Sequence, residues 1–286
     1  MLPDVWREGS SGVCPMIKCT REVRTPMNAL LNVNPILLGF LASLVAGVAT
    51  VLGAIPALVA RKVSSRVYDG LLGMAAGVML AATVFSLIIP AVDKAGGGLR
   101  GALVAGAGLF LGGLFLDLVD RYSPHQHFIK GPEGGAATSS LQRIWLFIIA
   151  ITIHNFPEGL AVGVGVGSGD LGSGLSLATG IGLQNIPEGM AVALALLGER
   201  YKSGQIFLIT LLTGLVEPVG GLLGVAAVTL ANPVLPWALA FAAGAMLFVI
   251  SDEIIPETHE RGNERTATYM ILLGFVIMML LDTTLG

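Results

Sequence analysis

Apolar residues run in long stretches along this chain, and polar residues collect in short segments between them. From residue 35 on, the apolar stretches cover 35–60, 67–92, 99–120, 143–167, 173–198, 204–231, 235–257 and 266–284. About 20 predominantly apolar residues carry an α-helix across the hydrocarbon core of a bilayer, so the pattern predicts eight transmembrane helices. The expected fold is an all-α polytopic membrane protein. Residues 1–34 read differently, as a polar tail with Arg7, Lys18, Arg21 and Arg24 and no signal-peptide apolar region. The tail is expected to be disordered, or to extend upstream of a true start at Met27. Its Cys14 and Cys19 are the chain's two cysteines, and such a pair alone is weak evidence for a metal site or a disulfide.

Composition agrees with the pattern. The chain is 54% hydrophobic and 12% charged, where soluble domains carry about 25% charge. Mean hydropathy is +0.80. The net charge of -3 says little for a chain largely hidden in lipid. The expected surroundings are the lipid bilayer of a cell membrane, with no nucleic-acid partner.

Charge in the connections sets the orientation. The connections between helices one and two, three and four (residues 121–142), five and six, and seven and eight, with the span ends that border them, carry Arg61, Lys62, Arg66, Arg121, Lys130, Arg143, Arg200, Lys202, Arg261 and Arg265. The other connections and their bordering span ends carry Lys94 and Arg100. By the positive-inside rule the first group is cytoplasmic and both termini lie outside. The basic tail votes the other way and is outvoted.

Two hexads dominate the interior: His154-Asn155-Phe156-Pro157-Glu158-Gly159 in helix four, and Gln184-Asn185-Ile186-Pro187-Glu188-Gly189 in helix five. Residues i and i+4 share a helix face one turn apart, so His154 can converge with Glu158, and Gln184 with Glu188. Each proline lacks an amide hydrogen and clashes with the carbonyl four residues back, which frees the carbonyls of Ile153 and Leu183. Helix two carries Ala75-Ala76-Gly77-Val78-Met79-Leu80 and then Ser86 to Pro90. Helix seven carries Ala242-Ala243-Gly244-Ala245-Met246-Leu247 and then Ser251 to Pro256. With the paired hexads, this predicts a 3+2+3 inverted repeat in which helices one to three match six to eight.

Glu158, Glu188 and Glu217 lie deep in helices four, five and six, where no Lys or Arg can neutralise them. Glu217 precedes Pro218, so the carbonyl of Gly214 also loses its helical partner. A charge at mid-bilayer costs about 2.5–3.5 kcal/mol even on the lenient insertion scale. A bound cation accounts for the missing positive charge. One imidazole, three carboxylates and the amides of Asn155, Gln184 and Asn185 suit Zn2+, Cd2+, Fe2+, Mn2+, Co2+ or Ni2+, whereas calcium and magnesium prefer oxygen alone. Three carboxylates carry -3, so one divalent ion leaves -1 and two leave +1. A zinc-protease HExxH is not present, since the second His and the following Glu are both missing. A metalloenzyme or a metal sensor without flux stands as the alternative to a transporter.

At these residues the chain resembles the ZIP (Zrt/Irt-like) family of divalent metal transporters, in its prokaryotic branch. The resemblance covers residues 35–286 and leaves out the tail. It implies transport of divalent metal, most of all zinc, toward the cytoplasm, with no enzymatic activity, and a homodimer. It implies a metal site of His154, Glu158, Gln184, Glu188 and Glu217, with Asn155 and Asn185 at a second subsite and Met79 near the metal. It also makes the loop with His125 and His127 a candidate metal-handling segment. Asp252, Glu253, Glu257 and His259 at the end of helix seven are candidates for an exit relay, and Asp93 and Asp282 for an entrance. Asp117 and Asp120 read as interfacial charges.

Overall fold

The computed structural model describes residues 33–60, 63–122 and 140–285. The polar tail and the segment with His125, His127 and Lys130 lie outside the described residues. Eight apolar helices are long enough to cross a membrane, and no strand occurs among the described residues. They are α1 (Pro35–Ala60), α2 (Ser65–Lys94), α3 (Gly98–Tyr122), α4 (Ser140–Gly167), α5 (Leu171–Gly198), α6 (Ser203–Leu230), α7 (Leu235–Thr258) and α8 (Glu264–Leu285). Polar side chains begin several of them. Asn34 accepts from the Ile36 amide, Ser64 from Val67 and Asp170 from Ser173, satisfying donors that a helix start leaves orphaned.

Four spans depart from a plain α-helix. α1 is interrupted at Gly53 and α6 between Gly214 and Glu217. α2 widens into a π-type turn at Thr83–Ile88, and α7 does the same at Ile250–Ile254. Each wide turn ends two residues before a proline, Pro90 or Pro256. Pro157 and Pro187 lie inside α4 and α5 and end neither helix.

The helices pair as α2 with α8, α3 with α7, α1 with α5 and α4 with α6, and α1 also packs on α6 and α4 on α5. Small residues allow backbone to meet backbone, as is common between membrane helices. A Cβ at Gly47 of α1 would lie 2.2 Å from the Gly214 carbonyl oxygen of α6, and a Cβ at Gly214 would lie 2.1 Å from the Gly47 carbonyl oxygen. Beside that crossing, a Cβ at Gly159 would lie 2.0 Å from the Glu217 carbonyl oxygen, and one at Gly189 would lie 1.8 Å from that of Thr50. The hexad glycines therefore set how closely α4 and α5 approach α6 and α1.

Candidate metal centre

The seven polar hexad and α6 positions reach one buried region. His154, Asn155, Glu158, Gln184, Asn185, Glu188 and Glu217 are all buried. Asn155 donates from Nδ2 to the Thr213 carbonyl of α6 at 2.9 Å, and Asn185 donates from Nδ2 to the Ala46 carbonyl of α1 at 2.7 Å. The second asparagine also donates to Glu217 Oε1 at 2.6 Å. Gln184 donates from Nε2 to Glu158 Oε1 at 2.9 Å, tying α5 to α4. Glu217 opens the second piece of α6, where the positive end of the helix dipole favours its carboxylate.

These amides spend their hydrogens on carbonyls and carboxylates, which leaves their oxygens over. Asn155 Oδ1, Asn185 Oδ1, Gln184 Oε1, Glu158 Oε2, Glu217 Oε2 and both Glu188 oxygens are buried without a hydrogen-bond partner among the described residues. Thr50 Oγ1 and Thr210 Oγ1 share that condition. Buried polar atoms in native proteins nearly always find a partner, so seven unsatisfied acceptors in one region form an electron-rich pocket suited to a cation.

The i and i+4 pairs are not closed into a cage. His154 Nε2 instead contacts Glu253 Oε1 of α7 at 2.6 Å, and among the described residues no three His, Cys, Asp or Glu side chains stand close enough to hold one ion. Met79 is fully buried and belongs to the same apolar core as Leu177 and Ile181 of α5.

A narrow cavity with about 40 Å³ of free space runs from this region, lined by Glu188, His154, Glu253, Glu257, Tyr68 and apolar residues of α2, α4 and α5. Of the expected exit residues, Glu253 and Glu257 face it. Asp252 is exposed and lines a separate crevice between α3 and α7 with Asp117. The His259 ring bonds locally, to the Ile255 carbonyl at 2.9 Å and Thr258 Oγ1 at 2.8 Å. At the other end of the bundle Asp93 is exposed, and Asp282 accepts from Ser86 at 2.6 Å.

A polar cluster adjoins the cavity at Glu257, and its Asp69 is a residue that the sequence reading missed. Asp69, fully buried near the start of α2, accepts from Arg261 at 2.5 Å and from Asn263 at 2.8 Å. Arg261 also donates to Glu257 and stacks over the Tyr68 ring, 4.7 Å from its centroid. The signal was an acidic residue inside an apolar span, the same signal that singled out the three glutamates.

A family model described as ZIP Zinc transporter matches residues 125–282. The chain is 48% identical over 252 residues to Zinc transporter GufA of Myxococcus xanthus, covering 87% of this chain and 99% of that one. It is 44% identical over 266 residues to Zinc transporter ZIPB of Bordetella bronchiseptica, covering 91% of this chain and 86% of the relative. With Zinc transporter ZIP11 of Homo sapiens it shares 38% identity over 305 residues, 77% of this chain and 89% of the relative. An eight-helix membrane bundle with a buried pocket of unsatisfied oxygens and these relatives belongs to the ZIP family: the chain is a multi-pass membrane transporter of metal ions, and not an enzyme.

Proposed function

We propose that the chain carries zinc across the membrane toward the cytoplasm, through the site between α4, α5 and α6. The observation that carries this reading is the set of seven buried acceptor oxygens without partners on Asn155, Glu158, Gln184, Asn185, Glu188 and Glu217. Zinc is the substrate named for the relatives, and imidazole with carboxylates suits it; cadmium, iron, manganese, cobalt and nickel suit the same donors. His154, Gln184, Glu158 and Glu188, with Met79, form a first subsite. Asn155 and Asn185 form a second that shares Glu158, Glu188 and Glu217.

The cavity supports this direction. It leads from Glu188 and His154 past Glu253 to Glu257, at the end of the bundle where Arg66, Arg200, Lys202, Arg261 and Arg265 flank the spans. The positive-inside rule makes that end cytoplasmic, with both termini outside. Glu253 then takes over from the metal as the partner of His154 when the ion leaves.

An inverted repeat is supported by matched contacts. Gly77 meets the Ile271 carbonyl of α8 as Gly244 meets the Leu109 carbonyl of α3. Asn155 bonds α6 at Thr213 as Asn185 bonds α1 at Ala46. Thr213 and Ala46 are 167 positions apart, and so are Gly244 and Gly77. A homodimer is part of the same proposal.

The test is zinc flux into proteoliposomes, run at several pH values with the other divalent ions as competitors. Saturable zinc uptake is the expected result. Binding of zinc to the purified protein with no uptake would leave a metal sensor in place of a transporter.

A further inference from the structure

Arg261 stands beside the cavity with its guanidinium divided between two carboxylates, one of which, Glu257, lines it. One arm donates to Asp69 Oδ1 at 2.5 Å and to the Glu257 backbone carbonyl at 3.2 Å. The other donates to the Glu257 side chain. The two carboxylates differ. Asp69 is fully buried, is also held by Asn263 and lies outside the cavity lining. Glu257 is 14% exposed and lines the cavity with His154, Glu188 and Glu253. Asp69 and the Tyr68 ring therefore anchor Arg261, while its second arm covers the one carboxylate of the cluster that an ion coming down the cavity would meet.

We propose that Arg261 is a tethered competitor that keeps Glu257 from retaining metal, so that the cavity releases ions there. Conduction needs sites strong enough to enter and weak enough to leave. Four acidic or imidazole groups in line, Glu188, His154, Glu253 and Glu257, would end in a trap if the last bound metal as firmly as the first. A cation fixed beside Glu257 by Asp69 competes at the high effective concentration of an intramolecular partner. It also repels a divalent ion that displaces it from Glu257, because Asp69 keeps the guanidinium close by. The planar fork of arginine suits this division between two carboxylates, which a lysine ammonium does not reproduce.

This inference rests on reading the cavity as the exit, and its test separates the two. Full-length Arg261→Gln protein is compared with wild type by zinc equilibrium dialysis in detergent and by zinc uptake into proteoliposomes. The expected result is one additional zinc bound per chain in Arg261→Gln, lost again in Arg261→Gln/Glu257→Gln, with maximal uptake lowered at least threefold and KM unchanged or lower. Should Arg261→Gln fail to fold, Arg261→Lys, which keeps the charge and loses the fork, is expected to bind the additional zinc more weakly and to slow uptake less. An unchanged zinc stoichiometry, or an additional zinc that survives Glu257→Gln, would overturn the proposal and leave the cluster as a clasp between α2 and the α7–α8 connection. If the additional zinc appears but wild type carries no zinc into vesicles, the competition stands and the transport reading falls.

Discussion

His154 Nε2 lies 2.6 Å from Glu253 Oε1, and this contact joins the hexad of α4 to the π-type turn of α7. A histidine that serves as a metal ligand needs a partner when the metal is absent, and Glu253 supplies one. His154→Ala and Glu188→Gln should each lower zinc uptake at least about tenfold, since even outer partners of metal ligands matter that much. Radiometal uptake, normalised to protein recovered in the membrane, checks this. Normal uptake by well-expressed His154→Ala would remove the histidine from the site.

Asn185 gives its amide hydrogens to Glu217 and to the Ala46 carbonyl. Asn185→Asp withdraws those donors and sets two carboxylates side by side. Without metal the variant should be less stable by about 1–3 kcal/mol, the cost of leaving buried groups unsatisfied. The added negative charge should strengthen the weaker of two zinc sites and raise the melting temperature more steeply with zinc than in wild type. Isothermal titration and thermal melts at graded zinc decide it, and two equal sites in wild type would contradict the subsite assignment.

The orientation is tested by accessibility. In a background lacking Cys14 and Cys19, single cysteines at Ala95 and Ser168 should react with impermeant maleimide in intact cells. Cysteines at Ser65 and Ser203 should react only after permeabilisation. The reverse pattern would invert the topology.

Gly47 and Gly214 meet backbone to backbone, so an added methyl at either encounters a carbonyl that cannot rotate away. Gly47→Ala and Gly214→Ala should each destabilise the protein by more than the 1–3 kcal/mol typical of overpacking. Gly106→Ala, which meets nothing within 4 Å, is the control. Melting temperatures in detergent measure the difference, and a silent Gly47→Ala would mean that α1 and α6 can separate freely.

The eight spans were legible because length and hydropathy are local properties of the chain. The hexads were legible because their i and i+4 spacing is helical. The interruption of α6 was signalled by Pro218 behind Glu217, and that of α1 at Gly53 by Pro56, which cannot bond the carbonyl of Leu52 and clashes with it. What the sequence did not signal is the close approach made there, where a Cβ on Gly53 would lie 2.1 Å from the Ile186 carbonyl oxygen. The pairing of His154 with Glu253 and the clasp of Asp69, Arg261 and Glu257 join residues 99 and 192 positions apart or depend on such a partner. Spacing along one helix carries only the i,i+4 pair of Glu257 and Arg261 and no trace of the two long-range contacts.

The stitches around the hexads are made at the level of the backbone. Asn155 and Asn185 reach carbonyls of α6 and α1, Gly159 and Gly189 rest on carbonyls of those same two helices, and Gly47 rests on Gly214. The glycine contacts have no rotamers to exchange, so α1 cannot part from α5 or α6, nor α4 from α6, by turning a side chain aside. By contrast, the seam between α4 and α7 is held by His154 and Glu253, side chains that can let go by changing rotamer.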